Sequence, residues 1–108
     1  MFVFIADFEV KAGQSESYQQ HFQQRQQALF GTLDGFVQDS LSIKPEDPNN
    51  FVVTSTFETE AAYQAYQQSD AMKTYISQIM PLIDRFEFAN VYKVAEVQSI
   101  LPKKPYEN

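Results

Sequence analysis

The feature that most constrains this chain is that its strand-like segments are apolar on both faces. In "FVFIADFEV", residues 2 to 10, strict alternation puts Phe2, Phe4, Ala6 and Phe8 on one side and Val3 and Ile5 on the other. In "RFEFANVYKVAEV", residues 85 to 97, the same count sets Phe86, Phe88, Tyr92 and Val94 against Ala89, Val91, Ala95 and Val97. A sheet covered on one side only would show polar residues on its open face. Here a second surface needs burial, and a chain of 108 residues has room for one core and no further layer. A second copy packed sheet to sheet is the remaining cover, so the sequence predicts a homodimer through the sheet faces. About 400 Å² of apolar face would contribute on the order of 10 kcal/mol before association costs.

Between those two strands the periodicity changes. From Ser15, an expected N-cap, "SESYQQHFQQRQQALFGTL" carries Tyr18, Phe22, Leu29 and Leu33 on one helical stripe and is predicted to end near Asp34-Gly35. "FVQDSLSI" (36 to 43) and "FVVTSTF" (51 to 57) read as strands joined by a "KPEDPNN" loop of turn formers. Thr59 and then Ser69 or Asp70 cap two tandem helices, the second holding Met72, Tyr75, Ile76, Ile79 and Met80 at helical spacing, and Pro81 ends or kinks it. Strand, helix, strand, strand, helical pair, strand is the order of an α+β ferredoxin-like sandwich, an antiparallel sheet with helices on one face. The expected domain covers 1–97, with 98–108 an extended tail.

Composition removes several function classes. Fourteen acids against eight bases give a net charge of −6 with no basic stripe, which argues against nucleic acid. There is no cysteine, so thiol chemistry, disulfides and thiolate metal sites fall away together. The opening residues have no basic n-region and are interrupted by Asp7 and Glu9, so neither a signal peptide nor a membrane span is read there, and a cytoplasmic location is expected. Asp7 and Glu9 share a strand face and are expected to point to solvent or to the dimer surface rather than to form an acid–base pair.

"FVFIADFEVKAGQSE", "LDGFVQDSL" and "FETEAAYQAYQQSDAMKTY" together resemble the antibiotic biosynthesis monooxygenase family over nearly the whole chain, with "MKTY" similar to its quinol monooxygenase members. The resemblance implies a dimeric α+β barrel with a pocket between sheet and helices. It also implies an oxidoreductase that oxidises a small aromatic phenol or quinol with O₂ and without cofactor or metal. Haem-degrading members carry an Asn on strand one, a Trp at the end of strand three and a His on the later helix; Ala6, Phe57 and Ile76 stand at those places here. Ala71 stands where quinol-type members often have a His before the "MK" pair. Two alternatives follow: a non-catalytic small-molecule-binding barrel, and a haem-binding or haem-degrading relative in which His21, the single histidine, would be the ligand.

Within that pocket His21, Tyr75 and Asn90 are the candidate catalytic groups, and Phe57, Tyr63 and Tyr66 the candidate ring-binding walls. Imidazole is the side chain best suited to a general base near neutral pH, which makes His21 a candidate, and tyrosines stack on a planar ligand while donating a hydroxyl. Asn90 would add a polar pocket group.

Overall fold

The computed structural model describes residues 1–95; the predicted boundary at 97 and the tail over 98–108 lie outside the described residues. Four strands, β1 (Phe2–Val10), β2 (Phe36–Lys44), β3 (Asp47–Phe57) and β4 (Ile83–Lys93), form one antiparallel sheet in the order β2-β3-β1-β4. Helices α1 (Ser15–Leu29), α2 (Glu60–Gln68) and α3 (Asp70–Ile79) cover one face, and a single 3₁₀ turn over Met80–Leu82 holds Pro81 before β4. This is the predicted α+β ferredoxin-like sandwich.

The core lies where the helix stripes meet the inner face of the sheet. Tyr18, Phe22 and Leu29 from α1 and Met72, Tyr75 and Ile79 from α3 pack on Phe8, Phe51, Val53 and Phe57. Aromatic contacts tie the layers, with Tyr18 edge-on to Phe8 at 5.1 Å and 4.7 Å from Phe51. β1 and β3 are the central strands, and the helices sit over them and β2. β4 is an edge strand whose residues are exposed beyond Ile83.

Several local expectations change. α1 ends five residues early, because Phe30 turns extended to stack on Phe36 at 4.6 Å and Gly31 takes φ +88°, a left-handed conformation that suits glycine. Its cap position is held by Gln14 with no side-chain cap bond; the hydroxyl of Ser15 instead donates to Pro48 O at 3.1 Å. The loop after β2 shrinks to Pro45-Glu46: Asn50 pairs in register with Glu9 and its amide donates to Asp7 Oδ1 at 2.8 Å, drawing Asp47–Asn50 into β3. In β4 the sheet register skips Glu87, so Phe86 lies opposite Phe8 on the helix side and Phe88 opposite Asp7 on the outer side. Simple alternation had put both on one face; the bulge separates them.

α2 and α3 are separated by one residue. Thr59 accepts from Ala62 N at 3.1 Å and Ser69 from Met72 N at 3.2 Å, as expected of N-caps, and the Ser69 hydroxyl is also within donor range of Tyr66 O at 2.8 Å. Ser69 therefore satisfies one helix end and starts the next. Ser69→Ala is expected to lower stability by about 1 kcal/mol in urea unfolding, and Ser69→Asp to recover most of that loss.

Candidate functional site: a tyrosine-lined apolar cavity beside a buried ion pair

The residue that organises the site is Arg25. Tyr18, Phe22, Arg25 and Leu29 follow the 3.6-residue repeat of α1, so the arginine falls on the apolar stripe and is 2% exposed. A guanidinium there requires partners. Asp39 supplies them from the inner face of β2, opposite Ser55 on β3. Arg25 Nη1 donates to Asp39 Oδ2 at 2.6 Å and Nη2 to Oδ1 at 3.1 Å, a bidentate pair with both side chains wholly buried. The Ser55 hydroxyl donates to Asp39 Oδ1 at 2.7 Å and accepts from Arg25 Nη2 at 3.1 Å. Tyr66 of α2 accepts from Nη2 at 2.8 Å and from Nε at 3.3 Å. The guanidinium also lies over the rings of Phe22, Tyr75 and Tyr66, at 4.7, 5.3 and 5.4 Å.

The electrostatics follow from this pairing. Burial disfavours the arginine charge, but the Asp39 hydrogen bonds and charge outweigh it and the Arg25 pKa moves up. Burial raises the Tyr66 pKa against the pull of Arg25, so its hydroxyl stays a neutral phenol. The cluster carries one positive and one negative charge, in contact, and presents no net charge to its surroundings.

Beside it stands a second pair. Tyr18 and Tyr75 hydroxyls are 2.6 Å apart, both side chains buried, and burial first and their mutual contact second push Tyr18 upward. Tyr75 is also raised, chiefly by burial, while its bond to Tyr18 pulls the other way. Two phenols hold two protons and share one hydrogen bond. When Tyr18 donates, the Tyr75 proton has no acceptor among the described residues.

Against these groups lies a cavity of about 160 Å³. Its sheet side is Phe4, Ala6 and Phe8 of β1 with Phe86 and Ala89 of β4; its helix side is Met72, Tyr75 and Ile76 of α3. Tyr66 and Arg25 close one end. An outer groove of about 500 Å³ runs over the same α2–α3 surface, lined by Phe4, Tyr63, Tyr66, Met72 and Ile76 with Lys73 at its edge.

The sequence-predicted residues distribute around this geometry unevenly. Tyr75 and Tyr66 reach the cavity, and Tyr63 lines the outer groove, 6.2 Å from Phe4 in a stacked arrangement. Phe57 touches neither. It is fully enclosed among Phe36, Tyr63 and Tyr66, a core residue rather than a wall. Asn90 pairs with Ile5 and so lies on the outer face of the sheet, its amide 3.3 Å from the Tyr92 hydroxyl, with the sheet between it and the cavity. His21 lines a separate recess between α1 and α3 with Gln24, Thr74 and Gln78, and its buried Nδ1 has no hydrogen-bond partner. Arg25 and Tyr75 separate that recess from the cavity. Among the described residues no group of three or more His, Cys, Asp or Glu side chains could hold a metal ion, and no helix is long and apolar enough to cross a membrane.

Sequence reading singles out neither Arg25 nor its partners Asp39 and Ser55, and takes Tyr18 as a stripe residue without its bond to Tyr75. The signal was present: a charged residue seven positions after Tyr18 on an apolar stripe, and an acid alternating with Leu41 and Ile43 on one face of a strand.

Solved structures show how widely this arrangement of elements is shared. A protein from Deinococcus radiodurans assigned to the antibiotic biosynthesis monooxygenases superposes with a TM-score of 0.80 at 16% identity, covering 94% of this chain and all of that one (100%). One from Nitrosomonas europaea, assigned likewise, gives 0.76 at 17%, covering 87% of this chain and 98% of that one. A protein from Shewanella oneidensis gives 0.75 at 23%, covering 84% and 87%. At these identities the likeness is one of fold. No curated protein matches the sequence at a significant level. The family model for antibiotic biosynthesis monooxygenase matches residues 1–78, from β1 through nearly all of α3 and with it the Arg25 cluster and most of the cavity wall, and on that match the chain belongs to the antibiotic biosynthesis monooxygenase family.

Proposed function

We infer that the cavity takes a small neutral aromatic phenol or quinol, and that the protein oxidises it with O₂, the substrate supplying the electrons. For a quinol the balance is one quinol and one O₂ giving one hydroxyquinone and one water: one oxygen atom enters the ring, and the other leaves as water with the two hydroxyl protons and the two electrons of the quinol. The observation that carries the reading is the composition of the cavity. Its walls are aliphatic and aromatic, Tyr66 and Tyr75 contribute to its lining while their hydroxyls bond to Arg25 and Tyr18, and the charge of Arg25 is cancelled by Asp39 in direct contact. A charged ligand would lose its water there without compensation, whereas a phenol stacks and hydrogen-bonds. The protein's part is to exclude water, hold the ring and, with Tyr18 donating to Tyr75, let the Tyr75 proton stabilise charge as it develops on the phenolic oxygen.

This reading moves the proposed working groups to Tyr75 and Tyr66 at the ring and Tyr63 at the entrance. It leaves His21 and Asn90 without a direct role, since each lies across a packed layer from the cavity. A porphyrin is much larger than the cavity, so the haem reading finds no support in this geometry. The non-catalytic binding module is favoured by one observation: the polar capacity of Asp39 and most of that of Arg25 is consumed inside the protein.

Oxygen uptake by purified protein with a panel of quinols separates the two. Saturable uptake is expected, with Tyr75→Phe lowering kcat by on the order of a hundredfold, the usual scale for losing one donor to a developing oxyanion. Ligand-induced thermal stabilisation without oxygen uptake would establish the binding module instead.

The outer sheet face carries an apolar stripe, Val3 and Ile5 of β1 with Phe88 and Tyr92 of β4, among polar residues. We propose that two copies pack through that face, as the two-sided strand pattern predicts, and that the protein works as a homodimer.

A further inference from the structure

The cavity and the outer groove are of different sizes and different exposure, and they share a wall. The smaller part, partly open beside the exposed Phe86 and Ile76, measures about 160 Å³, close to the space of about 150 Å³ that holds a single benzene ring in an apolar core. The groove is about 500 Å³ and open along α2 and α3. Phe4, Tyr66, Met72 and Ile76 border both. The lining differs too: the smaller cavity is apolar almost throughout, with the rings of Tyr66 and Tyr75 beside the neutralised arginine, while the groove runs along Phe4, Tyr63 and Ile76 with Gln67, Lys73 and Ser77 also lining it.

The geometry points to a two-part ligand: one phenolic ring in the smaller cavity, carrying a flexible apolar chain that leaves past Met72 and lies in the groove against Tyr63. A fused polycycle of the same mass fits this pair of spaces poorly, because a rigid plane cannot be narrow inside and extended outside. Met72 suits the junction, as an unbranched side chain with three rotatable bonds that moves without leaving a fixed void. The flat Tyr63 ring, stacked with Phe4 at 6.2 Å and with Tyr66 at 6.4 Å, gives the chain an aromatic floor. This inference rests on the cavity being the seat of an aromatic ring. It adds that the chain, more than a larger ring system, supplies the affinity.

The test uses 4-alkylphenols from methyl to octyl, which report binding independently of quinol turnover, together with 2-naphthol and a tricyclic phenol, titrated into the full-length protein by calorimetry. The dissociation constant is expected to tighten roughly threefold to fourfold for each methylene that enters the groove, then level off when the groove is filled. The tricyclic phenol is expected to bind more weakly than 4-butylphenol. Ser77→Trp, an exposed α3 position at the groove and away from the cavity, is expected to flatten the chain-length dependence, and Tyr63→Ser to reduce the ratio between octyl and methyl compounds. A dissociation constant indifferent to chain length, a tricyclic phenol binding more tightly than 4-octylphenol, or a chain-length dependence untouched by Ser77→Trp would overturn the two-part ligand. If quinols still consume oxygen in that case, the oxygenase reading survives on its own. Length-dependent binding with no oxygen uptake upholds the two-part site and removes the oxygenase.

Discussion

Asp39→Ala is expected to destabilise the protein by about 3–5 kcal/mol, a large part of the stability of a domain this size. The substitution leaves the Arg25 guanidinium buried without its counter-charge and strips the Ser55 hydroxyl of its acceptor. Tyr66 and Ser55 remain as partners, but neither carries a charge, and the side chain cannot reach solvent from a position 2% exposed without breaking the α1 packing. The double variant Arg25→Met with Asp39→Leu should recover most of the loss, since two apolar residues of similar volume need neither desolvation nor pairing. Urea unfolding of the two single variants and the double variant closes a thermodynamic cycle. If Asp39→Ala costs less than about 1 kcal/mol, the pair is not the buried, dry contact described here. The same variants separate structure from chemistry: the double variant should fold yet hold Tyr66 loosely, because two N–H donors to its hydroxyl are gone.

How much of this was legible beforehand depends on the range of the signal. Helix caps at Thr59 and Ser69, the Pro81 turn and the strand order are local or topological, and the sequence carries them directly. The β4 bulge is not local. Glu87 drops out of register because of how β4 pairs with β1, and nothing in "RFEFANV" marks that skip; hence Phe86 and Phe88 were assigned one face and occupy two. The site suffered from the same gap. Phe57 and Tyr66 are both aromatic and both adjacent to the helical pair, yet one is sealed in the core and the other bounds the cavity, although both pack on Phe36; Tyr66 extends from α2 to Arg25 at the cavity, while Phe57 is closed in by Phe36, Tyr63 and Tyr66. Arg25 is the instructive case. Its place on the stripe was readable by counting residues, and a buried arginine implies a buried acid. Alternation sets Asp39 on one strand face with Leu41 and Ile43, which marks it as that acid; Phe36 joins the same face only through the irregularity between Phe36 and Gln38, which the sequence does not show.

Ile5→Asp is expected to convert the proposed dimer to monomer, weakening association on the order of a thousandfold. Ile5 lies near the middle of the outer sheet face, opposite Thr54 on β3 and Asn90 on β4. Val3, Val52, Phe88 and Tyr92 occupy the same face, and Phe88 and Tyr92 are 40% and 45% exposed in the single chain, high values for large apolar residues on a sheet. Thr54 and Asn90 flank Ile5, and the charged pairs lie toward one end, Glu9 with Arg85 at 3.2 Å and Asp7 with Asn50 at 2.8 Å, with Ser40 and Ser42 along β2. An apolar stripe bordered by polar groups is the anatomy of an interface. In a two-fold assembly a substitution occurs twice, so Ile5→Asp buries two like charges near the axis with no counter-ion. Ser42→Asp, on the same face but at the polar β2 edge, should leave the dimer intact and serves as the control. Sedimentation equilibrium of the wild type and both variants at micromolar concentration decides the matter. A dimer lost only in Ile5→Asp locates the interface on the β1–β4 half of the sheet; a dimer kept in both would place the contact elsewhere and leave the apolar outer face to a different partner.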